Sequence, residues 1–350
     1  MRVAVLKGGR SLERQVSLKS GARVEDALER LGHEVVAIDV GADLVERLTE
    51  ERPDLAFVAL HGRDGEDGTV QELLEVMGIA YTGSGVSSCI RASDKVLAKH
   101  AMLDAGIPTP DFFAFNETAF RELGAAQALP AIEERLEFPI VVKPASQGSA
   151  LGIKFARTAA DVPSALVAAF SYDRKVLLER HIDGRDLAVS VIDDQPDDAG
   201  AAQSGEAGCR ARGKSAAPRA LPIVEAVPEQ EDFYDFEARY EIGRTRFVCP
   251  AELPEGVAER ARSVALDVYR LLGCRGFARV DLMLGEPDDS GAARDGEDGC
   301  RAHSGLFVLE VNPIPGLTET SLLPQAADAA GIGFDELIER IVGAVEVTVK

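Results

Sequence analysis

The sequence predicts an α/β protein: an open, mostly parallel sheet at the N-terminal end, with antiparallel hairpins toward the C-terminal end. Three observations carry this. Short apolar runs alternate with helical patterns over residues 1–88, as in successive strand–helix–strand units. Gly-rich turns follow those runs at Gly8-Gly9, Gly62–Gly68 and Gly83-Ser84-Gly85. Beyond residue 275, the segments Gly276–Leu284 and Gly305–Pro313 each carry polar groups two residues apart, the period of a strand with one special face.

In chain order, Val3–Leu6 reads as a buried first strand and Ser17–Arg30 as a helix with Leu18, Ala22, Val24, Ala27, Leu28 and Leu31 near one side. Glu34–Asp39 and Leu55–Leu60 follow as strands, Gln71–Met77 as a helix, and Ala80–Thr82 leads into the loop Gly83-Ser84-Gly85. A helix from Ser93 carries Asp94 and Lys95 and stops at Gly106-Ile107-Pro108-Thr109-Pro110. A Glu- and Ala-rich helical patch runs to Leu136, and Phe138–Lys143 is a strand. Asp161–Phe170 is a short helix, and Lys175–Glu179, Leu187–Ile192 and Leu221–Val227 are strands. Glu231–Glu241 is a polar, aromatic loop with Tyr234, Arg239 and Tyr240. Pro254–Leu272 is a long helix with Val257, Ala261, Val264, Val268 and Leu271 in one stripe, and Pro324–Gly331 and Phe334–Val345 close the chain.

At 350 residues the chain can build two or three domains around a large core. A net charge of −21 argues against a nucleic-acid surface, which needs clustered Lys and Arg. It permits a nucleotide ligand, because a few local cations can dominate a cleft. No apolar run is long enough for a membrane span, and the first is too short for a signal peptide. Five scattered Cys without a C-x-x-C pair fit a reducing compartment, and the cytoplasm is expected.

The chemistry gathers on the two late strands. Arg279 and Asp281 share one face, as do Glu310 and Asn312. Paired as a hairpin, that face offers two carboxylates, one amide oxygen and one guanidinium. Oxygen donors without Cys or His suit Mg²⁺, which takes further ligands from phosphates. Arg279 can neutralise a transferring phosphoryl group. The plain structural alternative is an antiparallel sheet with a solvated polar face. Lys143 followed by Pro144-Ala145-Ser146-Gln147-Gly148-Ser149-Ala150-Leu151-Gly152 has the makeup of a phosphate cover, with free backbone N–H groups beside an ammonium. His61 sits at a strand end beside a Gly-rich turn, where binding and a structural hydrogen bond compete as readings.

A repeat interrupts the chain. Residues 196–211 recur at 287–302 with 12 of 16 positions identical, Gly-, Ala- and Asp-rich and without aromatics. Neither copy can bury enough apolar surface to offset its ordering entropy, so mobile insertions are expected near 194–219 and 286–304. Gly208–Ser215 spells a P-loop pattern, but no strand precedes it and Pro218 and Pro222 follow, so it is a chance match.

With these pieces in place the chain resembles an ATP-grasp ligase, and closely the D-alanine–D-alanine ligase family. The residues that carry the likeness are Glu13–Leu18, His61–Gly68 with Tyr81–Gly85, and Asp94-Lys95. Further along they are Lys143–Gly152, Tyr234–Tyr240 with Cys249-Pro250-Ala251, Gly276–Leu284 and Glu310–Leu322. The resemblance implies three domains: an N-terminal parallel α/β unit over 1–90, a small central α+β unit over 91–180, and a C-terminal α+β unit with an antiparallel sheet over 181–350. It implies ATP-dependent ligation of two D-alanines through an acyl phosphate, for peptidoglycan precursor synthesis. It also implies two Mg²⁺ ions (with Mn²⁺ as a substitute) and a homodimer.

The same resemblance assigns roles. Lys95 and Lys143 would hold ATP phosphates beneath Gly148 and Ser149, and Arg239 would reach the γ-phosphate. Glu179 and the backbone of His181 and Ile182 would meet adenine, and Asp186 the ribose. Asp281 and Glu310 would bind one Mg²⁺, and Glu310 with Asn312 the second. Glu13 would pair the first D-alanine's ammonium, His61 would lie near its carboxylate, and Ser321 and Leu322 would receive the second D-alanine. Arg279 would stabilise the tetrahedral oxyanion, and Tyr240 would link through Ser149 to Glu13 and close the site. Four positions depart from the family pattern: Ala150 for a second Ser, Arg239 for Lys, Asp186 for Glu and Pro313 for Thr.

Other readings are a relative using D-lactate, D-serine or another amine as acceptor, a non-catalytic nucleotide-binding protein of this fold, and a nicotinamide oxidoreductase. Tyr240 favours an amine acceptor by the same resemblance. Arg279, Asp281, Glu310 and Asn312 are all present, which speaks against the non-catalytic reading. The first strand lacks the G-x-G-x-x-G of a dinucleotide fold.

Overall fold

The computed structural model of the chain describes residues 1–194, 217–228, 245–285 and 305–345. Tyr234, Arg239, Tyr240, both repeats and the P-loop-like segment lie outside the described residues. Three sheets make up the described part.

The first sheet is parallel, with β1 (Arg2–Lys7), β2 (Glu34–Asp39), β3 (Leu55–Val58) and β4 (Ala80–Tyr81) in the spatial order β2-β1-β3-β4. Val3, Ala4, Val5 and Leu6 are all fully buried, which is why β1 reads as an unbroken apolar run. Helix α1 (Arg14–Arg30) lies close against it at Gly21, where a Cβ would come within 2.6 Å of the Lys7 Cβ. Helices α2 (Leu44–Glu51), unassigned in the sequence, and α3 (Thr69–Met77) complete the crossovers. The expected loop Gly83-Ser84-Gly85 is followed directly by α4 (Val86–Ser93), a helix the sequence reading leaves unassigned. The helix expected from Ser93 begins instead at Lys95, as α5 (Lys95–Asp104). Asp94 separates the two in an extended conformation, its side chain accepting from the Val96 and Leu97 N–H groups.

The second sheet is antiparallel, with β5 (Phe112–Asn116), β6 (Ile140–Pro144), β7 (Lys154–Ala156) and β8 (Lys175–Arg180) in the order β5-β8-β6-β7. Helices α6 (Glu117–Glu122), α7 (Leu129–Leu136) and α8 (Val162–Phe170) accompany it, and Leu136, Ile140, Val142, Leu166 and Leu178 form its core.

The third sheet has β9 (Gly184–Asp194), β10 (Ala217–Ala220), β11 (Val224–Pro228), β12 (Thr245–Val248), β13 (Phe277–Gly285) and β14 (Leu306–Asn312). Its order is β12-β11-β9-β13-β14, with β10 also on β9. The strand expected over Leu221–Val227 begins later, at Val224, because Leu221–Ile223, with Pro222, form the link from β10 to β11. Helix α9 (Glu255–Leu272) packs through Ala258, Ala261, Ala265, Val268 and Leu272. The expected stripe is displaced by about one position, because small alanines rather than Val257 and Val264 face the sheet. Finally α10 (Leu322–Ala329) and α11 (Phe334–Gly343) share a core with β1–β3, through Leu323, Leu337, Ile338 and Ile341. The chain's end therefore returns to its beginning and brings the turn at 313–321 beside α1, where Arg23 Nη1 donates to the Leu317 carbonyl at 2.7 Å.

Candidate active site

The β13–β14 ladder sets Asp281 opposite Glu310 and Arg279 opposite Asn312. Directly paired residues project on the same side of a sheet, so the four groups share one face, as the period-two spacing predicts. A bulge follows between Asp281 and Leu282, which re-aims the strand beyond the site. Arg279 holds Asp281 side-on, Nε to Oδ1 at 2.6 Å and Nη2 to Oδ2 at 2.8 Å, and both are buried. Glu310 lies 3.2 Å from the Lys95 ammonium, and the Asn312 side-chain oxygen accepts from the Ile314 N–H at 2.9 Å.

Across from this face, a cavity of ≈ 380 Å³ opens between the second and third sheets. Lys143, Glu179, His181, Ile182, Asp186, Asp281 and Glu310 all line it. Glu179 is buried between two ammonium groups, Lys143 at 2.5 Å and Lys99 at 2.6 Å. Burial alone would raise its carboxyl; Lys143 and Lys99 outweigh that and hold it below the usual range. For Lys99 the balance reverses: complete burial pulls its ammonium down to about 8 against the opposing pull of Glu179. Burial also lowers His181, with Lys143 adding to the effect.

The loop after β6 folds over Glu13. Ser149 and Ala150 both adopt the left-handed region, with φ of 53° and 58°, a conformation that non-glycine residues rarely hold twice running. That geometry turns the Ser149 hydroxyl onto a Glu13 carboxylate oxygen, to which it donates. Lys95 donates to the Gln147 carbonyl at 2.7 Å and so ties the same loop to the start of α5. Below the loop a small pocket is lined by Glu13, His61, Ser149, Arg279, Asn312, Ser321 and Leu322, together with Phe247 and Val16. His61 is buried, its Nδ1 3.0 Å from the Ile314 carbonyl and its Nε2 3.0 Å from the Ser20 hydroxyl. A carbonyl can only accept, so Nδ1 donates to Ile314, and Nε2 faces the Ser20 hydroxyl. His61 thus braces the 313–317 turn against α1.

Of the residues given roles by the resemblance, all but Arg239 and Tyr240 fall in the described part, and each lines one of these two spaces or the adjoining cleft that carries Lys95 and Gly148. Lys99 was not anticipated. Its one signal is its spacing of four residues from Lys95, which puts both lysines on one helix face. Among the described residues no three His, Cys, Asp or Glu side chains cluster as a metal site. The donor set is instead two carboxylates and an amide, all hard oxygens, which fits Mg²⁺ or Mn²⁺ completed by phosphate and water. Arg279 and Lys95 already meet the charge of the two carboxylates, so an incoming cation has to share them.

Comparison with known proteins agrees with this geometry. Profiles of the D-ala D-ala ligase N-terminus and C-terminus match residues 42–84 and 101–343. The D-alanine–D-alanine ligase of Syntrophotalea carbinolica is 40% identical over 97% of this chain and 94% of its own. That of Moorella thermoacetica is 38% identical over 98% of each. The crystal structure of the Bacillus anthracis D-alanine–D-alanine ligase complexed with ATP superposes with a TM-score of 0.73 at 31% identity, covering 98% of this chain and 97% of that one. The chain belongs to the D-alanine–D-alanine ligase family.

Proposed function

We propose that the chain is an ATP-dependent ligase that joins two D-alanine molecules into D-alanyl-D-alanine for peptidoglycan synthesis. The observation that carries this reading is the contiguity of two spaces. A nucleotide-sized cavity bearing Lys143, Glu179 and Asp186 meets a small polar pocket bearing Glu13, Ser149 and Ser321, and Arg279, Asp281, Glu310 and Asn312 stand between them.

A carboxylate is a poor electrophile, so amide formation in water needs activation. In the first step a carboxylate oxygen of the first D-alanine bonds to the γ-phosphorus of ATP, the bond to the β,γ-bridging oxygen breaks, and ADP leaves. In the second, the amine of the second D-alanine attacks the acyl carbon, and phosphate leaves with the former carboxylate oxygen. Glu13 offers the anion for the first substrate's ammonium, and Ser149 fixes its orientation. Lys95 and Lys143 hold phosphate oxygens, with Gly148 and Ser149 above. Arg279 lies where the tetrahedral oxyanion forms. Ser321 and Leu322 receive the acceptor. Glu179, with the backbone of His181 and Ile182, faces adenine, and Asp186 faces ribose. Asp281 with Glu310, and Glu310 with Asn312, would hold two divalent ions, which when bound offset phosphate charge. Arg239 and Tyr240 belong in this scheme as the γ-phosphate contact and the closing residue, by family likeness alone.

By the same likeness we read the chain as three units, 1–90, 91–180 and 181–350, and as a cytoplasmic homodimer. Among the described residues no helix is long and apolar enough to cross a membrane. Phosphate release with Mg-ATP across D-alanine, D-lactate, D-serine and L-alanine tests the reading. Turnover with D-alanine as both substrates is expected, and release only with D-lactate or D-serine as acceptor would replace it with the alternative ligase.

A further inference from the structure

Lys99 is a lysine with no exposed surface, and it touches neither of the two spaces assigned to substrates. Its ammonium lies 2.6 Å from one oxygen of Glu179, whose other oxygen is 2.5 Å from Lys143. It also donates to the Thr109 hydroxyl, which in turn donates to the Val308 carbonyl at 2.8 Å, on the strand that carries Glu310. The Phe112 ring lies 5.3 Å from the ammonium on another side. One buried charge thus links the start of the central unit, two strands of its sheet and the strand of the oxygen donors. Burying an ammonium is costly unless it is paired, so the arrangement calls for a reason.

Charge arithmetic supplies one. Lys99, Lys143 and Glu179 together carry one net positive charge. Without Lys99 the sum is zero, and Glu179 takes the Lys143 ammonium entirely for itself. We propose that Lys99 is a positioning residue for the nucleotide: by engaging one oxygen of Glu179, it leaves Lys143 able to share its ammonium with an ATP phosphate. This rests on the reading that the Lys143 cavity takes ATP. Lys99 acts only through Glu179, never on the nucleotide itself.

The test is a double-mutant cycle read by ATP affinity, with a fluorescent ATP analogue and without D-alanine. In the wild-type background, Lys99→Met should weaken ATP binding about 10–100-fold, and the KM for D-alanine should stay within about threefold. In a Glu179→Gln background the same change should weaken ATP binding less than about threefold, because the carboxylate that would capture Lys143 is gone. Equal losses in both backgrounds, or no loss in the first, overturn the inference. If Lys99→Met alone does not fold, Glu179→Gln is compared with Lys99→Met/Glu179→Gln, and a loss above about threefold between them overturns it equally. Failure of the wild-type chain to bind ATP at all would instead overturn the reading of the cavity.

Discussion

Arg279 grips Asp281 two residues along its own strand, its guanidinium and carboxylate aligned side-on at 2.6 and 2.8 Å. Intra-strand pairs two apart lie on one face, and this buried bidentate pair uses the Nε–H and one Nη2–H of the guanidinium's five donors. Arg279 is thereby aimed along the face that also bears Glu310 and Asn312. Arg279→Ala should abolish D-alanine-dependent ADP release, by at least about 10²-fold, since the proposed mechanism uses its guanidinium to meet the developing oxyanion. It also strands a buried carboxylate, so a loss of about 3–5 kcal/mol in unfolding free energy is expected, with native circular dichroism kept at low temperature. Unchanged turnover would remove Arg279 from the mechanism.

Glu310→Gln isolates the other half of the pair. The volume is kept while the charge facing Asp281 and Lys95 is lost. Turnover should vanish, and Mn²⁺ binding in the presence of ATP, followed by electron paramagnetic resonance, should weaken by about 10-fold or more. Undiminished Mn²⁺ binding would move the metal site elsewhere.

The site residues differ in how far the sequence alone reveals them. Arg279, Asp281, Glu310 and Asn312 were legible because strand periodicity is rigid: two apart means one face, wherever the strand sits. Lys143 and its small-residue loop were legible for a similar local reason. The bond between Ser149 and Glu13 spans 136 residues, and no local pattern encodes it; only family likeness pointed there. Lys99 was missed because a lysine's burial is decided by what packs over it, and by default lysine is read as solvated. The strands β5 and β7 escape the sequence reading because none of β5 is fully buried and β7 has only three residues.

Ser149→Ala removes the hydroxyl that donates to Glu13 but keeps the left-handed turn. Glu13 then loses a partner and some of its fixed orientation. The expected result is a rise of about 10-fold in the KM for the first D-alanine, with ATP affinity unaltered, a hydrogen bond to a charged group being worth about 1.5–3 kcal/mol. A change confined to ATP would assign Ser149 to the phosphates instead.

Asp94 does two jobs at the start of α5. One oxygen caps the Val96 and Leu97 N–H groups at 2.9 and 3.2 Å, and the other meets the Lys175 ammonium at 2.6 Å. The cap begins the helix at Lys95 and so directs that side chain toward Gln147 and Glu310. Asp94→Ala should cost about 1–2 kcal/mol of stability in chemical denaturation. It should also raise the KM for ATP more than that for D-alanine, because Lys95 loses its fixed start. Asp94→Asn, which keeps the cap but not the charge, should recover most of the stability; if it does not, the Lys175 pair rather than the cap sets the helix.

Glu179 supplies a pH signature. Its carboxyl is held below its ordinary value because Lys143 and Lys99 outweigh the cost of burial. A depressed carboxyl binds fewer protons in the folded state than in the unfolded one, so stability falls as protons are added. Its contribution is fully present above the ordinary carboxylate value of 4.5 and is lost as pH falls through the lower folded value. In Glu179→Gln that contribution is absent at every pH. Urea midpoints measured from pH 6 downward should therefore drop more steeply below about pH 4.5 in the wild type than in the variant, with the two profiles parallel above it. Parallel profiles throughout would mean that the Glu179 carboxyl titrates alike in the folded and unfolded chain, and that Lys143 and Lys99 do not hold it down.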